Sequence, residues 1–267
     1  MEKVLLIIDP QKDFMTSPDF SGSLSVNGAY EDMLKLSSYI LSENPDSIIV
    51  TLDTHDRFDI AHHSWWIDSS GNHPSPFTLI TVEDVENKVW KPVDNSKADY
   101  ALFYVKELKK NNKYNLLIWP DHCILGTEGH KVNDELNDTL KSWEEKNNKE
   151  VIYINKGTNP NTEHYSGLKA EVVLEEAEET HLNMKLINKL NEFSYIEIAG
   201  EALSHCVGNT ALDLIENLSP ENRVKVSMLT DCMSSVSGFE KNGEEILSKI
   251  VELGGNLKQT KKPKLTI

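Results

Sequence analysis

The chain has 267 residues, 39% of them hydrophobic, and a formal net charge of -16, which supplies apolar material for a sizeable core and fits one large domain. That acidity excludes nucleic acid or an anionic membrane surface as the main partner, because both select basic patches. Three cysteines without any CxxC spacing exclude a zinc ribbon or a disulfide scaffold and suit a reducing compartment.

The opening apolar run ends at Asp9 after five residues, too short for a signal peptide, and no stretch approaches a membrane span. A cytoplasmic protein is expected. Residues 3–8 read as a strand buried on both faces, the mark of a parallel sheet covered by helices, and they deliver Asp9 in DPQKDF. Tyr30, Met33, Leu34, Ser37, Ile40 and Leu41 then recur at helical spacing. Residues 47–52 read as the second strand, ending at Asp53. Residues 115–119 are a third apolar run, and Val132, Leu136, Leu140 and Trp143 mark the helix after it. A strand over 150–154 delivers Lys156, and Leu186, Leu190 and Phe193 mark another helix.

Residues 195–199 form the strand before GEALSHCVGNTALD, from which Val207, Ala211, Leu214 or Ile215, and Leu218 set a helical period closed by Pro220. Residues 224–229 are the last strand, delivering Asp231, and Ile246, Leu247, Ile250 and Leu253 lie on a final helix. Strands alternating with helices predict a doubly wound α/β domain with a mostly parallel sheet and helices on both faces, its site beyond the C-terminal strand ends. Asp9, Asp53, Lys156 and Cys206 all fall there.

Two segments break the rhythm of what is read as one domain over 1–267. The stretch from 57 to 113 is too long for a simple connection; the insertion proper, about 67–113, contains a helix near 100–108 and reads as a lid or an oligomer contact. Between 158 and 180, NPNTEH precedes EEAEE, whose expected fate is a solvated face. The weakly basic tail, about 258–267, is assigned no function.

A cysteine at the first turn of a helix just past a strand sits where unpaired backbone N–H groups and the dipole stabilise a thiolate. Cys206 has that position, against the alternative of a small buried hydrophobe. Asp9 and Lys156 at other strand ends favour chemistry: Asp9 can take the thiol proton and hand it to a leaving group, and Lys156 can hold the thiolate.

The IIDPQKDF opening, the Lys156-Gly157 pair after a strand and GEALSHCVGNTALD, in that order from Lys3 to about Ser235, resemble the cysteine hydrolases of the isochorismatase and nicotinamidase superfamily. The resemblance implies an isochorismatase-like hydrolase fold and a catalytic triad of Asp9, Lys156 and Cys206. It also implies a cis peptide between Glu201 and Ala202, and an oxyanion hole made by the backbone N–H groups of Ala202 and Cys206. Asp53 and His55 stand as D-x-H, and His122 follows in WPDHC; a carboxylate and two imidazoles suit zinc, iron or manganese. Nicotinamidases hold one such divalent ion at the matching positions, whereas isochorismate hydrolases generally lack the set. His62 of His62-His63-Ser64 is a candidate fourth ligand by resemblance to an H-x-S motif, one residue further from His55 than in related forms, and His63 competes with it.

Phe14 and Trp119 match family positions that line a ring-binding pocket, with ordinary core as the alternative. His73, His130, His164, His181 and His205 read as structural or exposed, although His164 lies in TEHYS, close enough behind Lys156 to reach the pocket. Cys123 and Cys232 read as inert thiols. The implied activity is a metal-dependent amidohydrolase of nicotinamidase type, with zinc as the first choice of metal, a small-molecule amide as substrate and a homo-oligomeric assembly. Glu201, Leu203 and Ser204 depart from the small apolar residue, threonine and aspartate of many nicotinamidases, and the insertion is larger than in compact ones. A carbamoyl compound or isochorismate as substrate, or a catalytically idle member that binds a metabolite or protein, therefore stands as the alternative.

Overall fold

The computed structural model describes residues 1–111 and 115–260. In chain order the elements are β1 (Lys3–Ile8), α1 (Ala29–Glu43), β2 (Ser47–Asp53), β3 (Trp66–Ile67), β4 (Leu79–Ile80), α2 (Val82–Glu86), β5 (Lys91–Pro92), α3 (Ala98–Lys110) and β6 (Leu116–Leu117). They continue with α4 (Asp134–Asn147), β7 (Ile152–Lys156), α5 (Met184–Asn191), β8 (Tyr195–Gly200), α6 (Gly208–Glu216), β9 (Val226–Leu229), α7 (Glu240–Glu252) and β10 (Asn256–Lys258). Six strands form one sheet in the order β10-β9-β8-β1-β2-β7, and every pairing in it is parallel.

The sequence of β1 explains its central place. Val4, Leu6 and Ile8 point into a core shared with α5, α6 and α7, whereas Leu5 and Ile7 point into a second core shared with α1 and α4. Alternate side chains leave opposite faces of a strand, so an unbroken apolar run needs a helix layer on each side. Side-chain caps set the starts of α4 and α5, where Asn133 Oδ1 accepts from the Leu136 N–H at 3.0 Å and Asn183 Oδ1 from the Leu186 N–H at 2.9 Å.

The insertion has its own small core, in which Trp66, Ile80, Ala101, Tyr104 and Val105 pack together. The apolar run at 115–119 is shared: Leu116 and Ile118 join this core and Leu117 and Trp119 the main one, and β6 stays out of the main sheet and pairs antiparallel with β4. A run of that length is equally good as a main-sheet strand or as cover for a satellite core, and periodicity does not separate the two. The helix expected near 100–108 is α3, while 112–113 of the insertion and 261–267 of the tail lie outside the described residues.

Three other expectations change. The buried stripe of α1 carries Ala29, Asp32, Met33, Leu36, Ser37 and Ile40, while Leu34 and Leu41 are exposed; the stripe starts one residue earlier than a register anchored on Tyr30. The last long strand begins at Val226 because Pro220–Lys225 form a 3-10 turn. A final short strand, β10, closes the sheet edge, and its few apolar residues carry no period. Among the described residues no helix is long and apolar enough to cross a membrane.

β8 ends at Gly200, whose φ is +118° and whose missing Cβ would lie 2.0 Å from the Ile8 carbonyl oxygen. Only glycine fits so close an approach in a left-handed conformation. Gly200→Ala should lower unfolding free energy in urea by at least about 2 kcal/mol; a loss under about 0.5 kcal/mol would contradict the close approach.

Candidate active site

Four strand ends meet at one point. Asp53 and Lys156 are register partners on the parallel pair β2 and β7, so their side chains leave the same face of the sheet. Lys156 Nζ donates to Asp53 Oδ1 at 2.8 Å, to the His164 carbonyl at 2.7 Å and toward Cys206 Sγ at 3.6 Å. Those are all the donors an ammonium has. The same nitrogen lies 3.0 Å from Asp9 Oδ2, and Asp9 Oδ1 accepts from the Thr51 hydroxyl at 2.6 Å. Asp9 is held at a φ of 44°, a left-handed conformation that a non-glycine residue adopts only when its surroundings impose it.

The charges are set by burial. Asp9, Asp53, Lys156 and Cys206 are each 7% exposed or less. Burial pushes the Asp53 carboxyl up, yet His55, Lys156 and His122 together hold it well below the usual carboxylate range. Burial works against the Lys156 ammonium too, and the Asp53 and Asp9 carboxylates override it and hold the lysine charged. Asp9 is raised by burial and by Asp53, with Lys156 and Thr51 opposing.

Cys206 departs from the expected helix start. It lies in a π-helical turn, Leu203–Val207, ahead of α6, with the Val207 N–H donating to the Ala202 carbonyl at 3.2 Å. Such turns recur at functional sites. Burial and the nearby Asp9 and Asp53 charges push the thiol well up while Lys156 opposes them. Desolvation of the sulfur thus works against the thiolate that a helix-start dipole would favour. The Glu201–Ala202 peptide just before this turn is cis.

Asp53 also faces the histidines. Its Oδ2 lies 3.1 Å from His55 Nε2 and 3.4 Å from His122 Nε2. His55 Nδ1 pairs with Asp59 Oδ2 at 2.9 Å and His122 Nδ1 with the Pro120 carbonyl at 2.8 Å. Both Nε2 atoms are thereby presented inward, as metal-binding imidazoles are by outer partners. Nitrogens of His55, His62 and His122 lie within 4.8 Å of one another, all three residues buried. His62 Nδ1 is buried and has no hydrogen-bond partner among the described residues. Three buried imidazoles converging beside one carboxylate could hold a divalent metal ion. His63 is outside it: its side chain is 38% exposed, with Nδ1 3.0 Å from Asp121 Oδ1.

These groups open onto a cavity lined by both Phe14 and Trp119, together with Asp53, His122, Ala202 and Cys206. Phe14 packs edge-on against His122 at 5.5 Å, and Trp119 against His205 at 5.2 Å. Leu24, Glu163, Tyr165, His205 and Val236 complete the lining and were not legible as site residues. TEHYS behind Lys156 was a pointer to Glu163 and Tyr165; Leu24 and Val236 lie in loops with no motif. Burial pushes the Glu163 carboxyl up to about 7, with His55 opposing. The insertion reaches the wall through Phe77, whose ring meets Trp119 edge-on at 6.0 Å.

No protein-family model matches the chain. Over 254 residues it is 25% identical to a nicotinamidase of Saccharomyces cerevisiae, with 94% of each chain covered. Its fold superposes on an Acinetobacter baumanii nicotinamidase/pyrazinamidase with TM-score 0.64 and 19% identity, covering 97% of this chain and 96% of that one. It superposes on the yeast nicotinamidase structure with TM-score 0.65 and 18% identity, covering 97% and 100%. For the pyrazinamidase of Pyrococcus horikoshii in complex with zinc the values are 0.55 and 19%, covering 97% and 99%. At these identities the structures establish a shared fold.

Burial pulls His164 and His205 down to about 4. In the unfolded chain each takes its proton near 6.5, so between about pH 6.5 and pH 4 the unfolded state binds protons the folded state refuses, and stability present above that window is lost as pH falls through it. His205→Phe should reduce the slope of unfolding free energy against pH there by up to about 1.4 kcal/mol per pH unit. Denaturant unfolding between pH 4 and 6 measures it, and an unchanged slope would contradict a buried neutral His205.

Proposed function

We infer that this chain is a nicotinamidase-type member of the isochorismatase-like cysteine hydrolases, a metal-dependent amidohydrolase converting nicotinamide or a similar small aromatic amide to the acid and ammonia. One observation carries the reading: Asp9, Lys156 and Cys206 converge in a buried cluster beside an aromatic cavity, and Asp53 joins that cluster to a set of buried imidazoles. The cavity is lined mainly by aromatic and apolar side chains with a few polar groups converging at one end, the lining that suits a small aromatic molecule.

Asp9 is the base. Its raised affinity for a proton suits it to take the one from Cys206, and Lys156 Nζ, 3.6 Å from the sulfur, holds the thiolate formed. The sulfur attacks the carboxamide carbon, and the carbonyl oxygen becomes an oxyanion received by the backbone N–H groups of Ala202 and Cys206. Asp9 returns its proton to the departing nitrogen as the carbon–nitrogen bond breaks, releasing ammonia and leaving a thioester. Asp9 then takes a proton from a water that attacks the thioester carbon, and the acid leaves as Cys206 recovers its proton. Phe14 and Trp119 hold the ring between them.

Asp53, His55, His122 and His62 would hold the divalent ion, zinc before iron or manganese. Bound there, the ion supplies a Lewis-acidic anchor for a pyridine nitrogen or for a water that contacts it. The free thiols and acidic surface accord with a cytoplasmic enzyme. Phe103 of the insertion is exposed and offers apolar surface for a homo-oligomer.

An ammonia-release assay over nicotinamide, pyrazinamide and carbamoyl compounds tests the reading. Nicotinamide should be among the best substrates, and Cys206→Ala should lower kcat by at least about 10⁴-fold; wild-type turnover in Cys206→Ala would refute the mechanism. Metal analysis on the same samples should give one divalent ion per wild-type chain. Asp53→Ala and His62→Ala should lose it and His63→Ala keep it; retention in His62→Ala with loss in His63→Ala would overturn the ligand set.

A further inference from the structure

We propose that Glu201 is a positioning residue for the oxyanion-binding peptide: as a carboxylic acid it donates a hydrogen bond to the Asp32 carboxylate, and this link, bridged by Ser234, fixes the backbone of Ala202. The proposal rests on the functional reading above, which places an oxyanion at Ala202. Glu201 is 0% exposed and Asp32 4% exposed, and the two carboxyls meet at Ser234, whose backbone N–H donates to Glu201 Oε2 at 3.2 Å and whose hydroxyl donates to Asp32 Oδ2 at 2.5 Å. Two carboxylates cannot both stay ionised in such contact out of water, so the pair holds a proton.

The surroundings decide which acid carries it. Asp32 accepts from the Ser234 hydroxyl at 2.5 Å and from Lys35 Nζ at 3.2 Å, and it lies in the first turn of α1, where the helix dipole favours negative charge. Glu201 receives only the Ser234 backbone N–H at 3.2 Å, and its Oε1 has no hydrogen-bond donor among the described residues. Burial pushes the Asp32 carboxyl up as well, but the Ser234 and Lys35 hydrogen bonds oppose it, and those donors make Asp32 the carboxylate and Glu201 the acid. Burial, then Asp32, pushes the Glu201 carboxyl well up.

Other charged groups do not supply an alternative proton. Glu31 on α1 adds negative charge near Asp32. Cys232 after β9 is pushed up to about 12 by burial, Asp231 and Asp32, and so stays neutral. Asp231 accepts from Thr260, and Asp9 at the end of neighbouring β1 faces Lys156.

The link reaches the reacting region through the backbone. The Glu201 N–H donates to the Ile8 carbonyl at 2.8 Å, the Leu203 N–H to the Ser234 carbonyl at 2.7 Å, and the Val236 N–H to Ser204 Oγ at 3.0 Å. Ala202 lies between two of these anchors, and losing the Glu201 proton would set two buried negative charges against each other beneath it. Glu201 is also one of the positions where the chain departs from its resemblance family, so the link is a property of this sequence.

The test compares Glu201→Gln, which keeps a neutral donor, with Glu201→Leu, which keeps the bulk without one, in the metal-loaded protein. Wild-type kcat should fall on the alkaline side as the proton is lost. Glu201→Gln should keep kcat within about threefold and lack that fall, whereas Glu201→Leu should lose about tenfold or more in kcat with KM within about twofold. Full kcat in Glu201→Leu, or an unchanged alkaline fall in Glu201→Gln, overturns the proposal. In the infrared difference spectrum of wild type against Glu201→Gln at neutral pH, where Glu163 and Asp9 contribute equally to both proteins, the carbonyl band of a protonated carboxylic acid should remain and reads the acid without turnover; its absence from the difference also overturns the proposal. A wild type that shows the band but releases no ammonia from any amide refutes the functional reading instead.

Discussion

A buried ammonium is the constraint on which the site depends. Lys156 is 4% exposed, and a charge so placed is tolerated only when opposite charge and acceptors surround it. Asp53, Asp9 and the His164 carbonyl meet that need, and each comes from a different part of the chain. β2 places Asp53 by its register with β7, β1 places Asp9, and the loop behind β7 folds back to offer its carbonyl. Cys206 Sγ takes the remaining donor, so electrostatic need and placement of the thiol are one arrangement.

Asp53 divides its two oxygens between two tasks. Oδ1 faces Lys156 and Oδ2 faces His55 and His122, which makes one carboxylate common to the thiol cluster and the histidine cluster. Gln11 fixes its backbone from both sides, its Nε2 donating to the Asp53 carbonyl at 2.8 Å and its Oε1 accepting from the Asp53 N–H at 2.7 Å. Gly157 next to Lys156 is part of the same fit, because a Cβ there would stand 3.0 Å from Asp53 Oδ1 at a φ of +73°. The cavity wall is less tightly determined by the sheet. Trp119 follows β6 and packs in the main core, and Phe77 of the insertion meets it from outside, so the insertion touches the cavity wall at this one ring.

Much of this was legible because strands deliver their last residue to a predictable place. Apolar runs ending in Asp9, Asp53 and Lys156 mark both the sheet and its functional edge, and D-x-H with WPDHC pointed to a metal-type donor set. Spacing alone left His62 and His63 as rivals; the structure buries the first and turns the second toward Asp121. His205 was read as structural or exposed because a lone histidine carries no local signal, yet it is buried between Trp119, Tyr165 and Phe239. The destination of 115–119 and the short β10 depended on pairing with distant segments. The thiol's resting state could not be read from a helix start, since it depends on how completely water is excluded around Cys206.

A rapid-quench experiment on the metal-loaded protein tests the central claim most directly. Mixed with nicotinamide, stopped in acid and digested, the protein should carry a transient nicotinoyl thioester on the peptide containing Cys206, rising as ammonia appears and decaying as nicotinate forms. Ammonia release that leaves this peptide unmodified at every quench time, and that continues after Cys206 has been alkylated, would contradict the account.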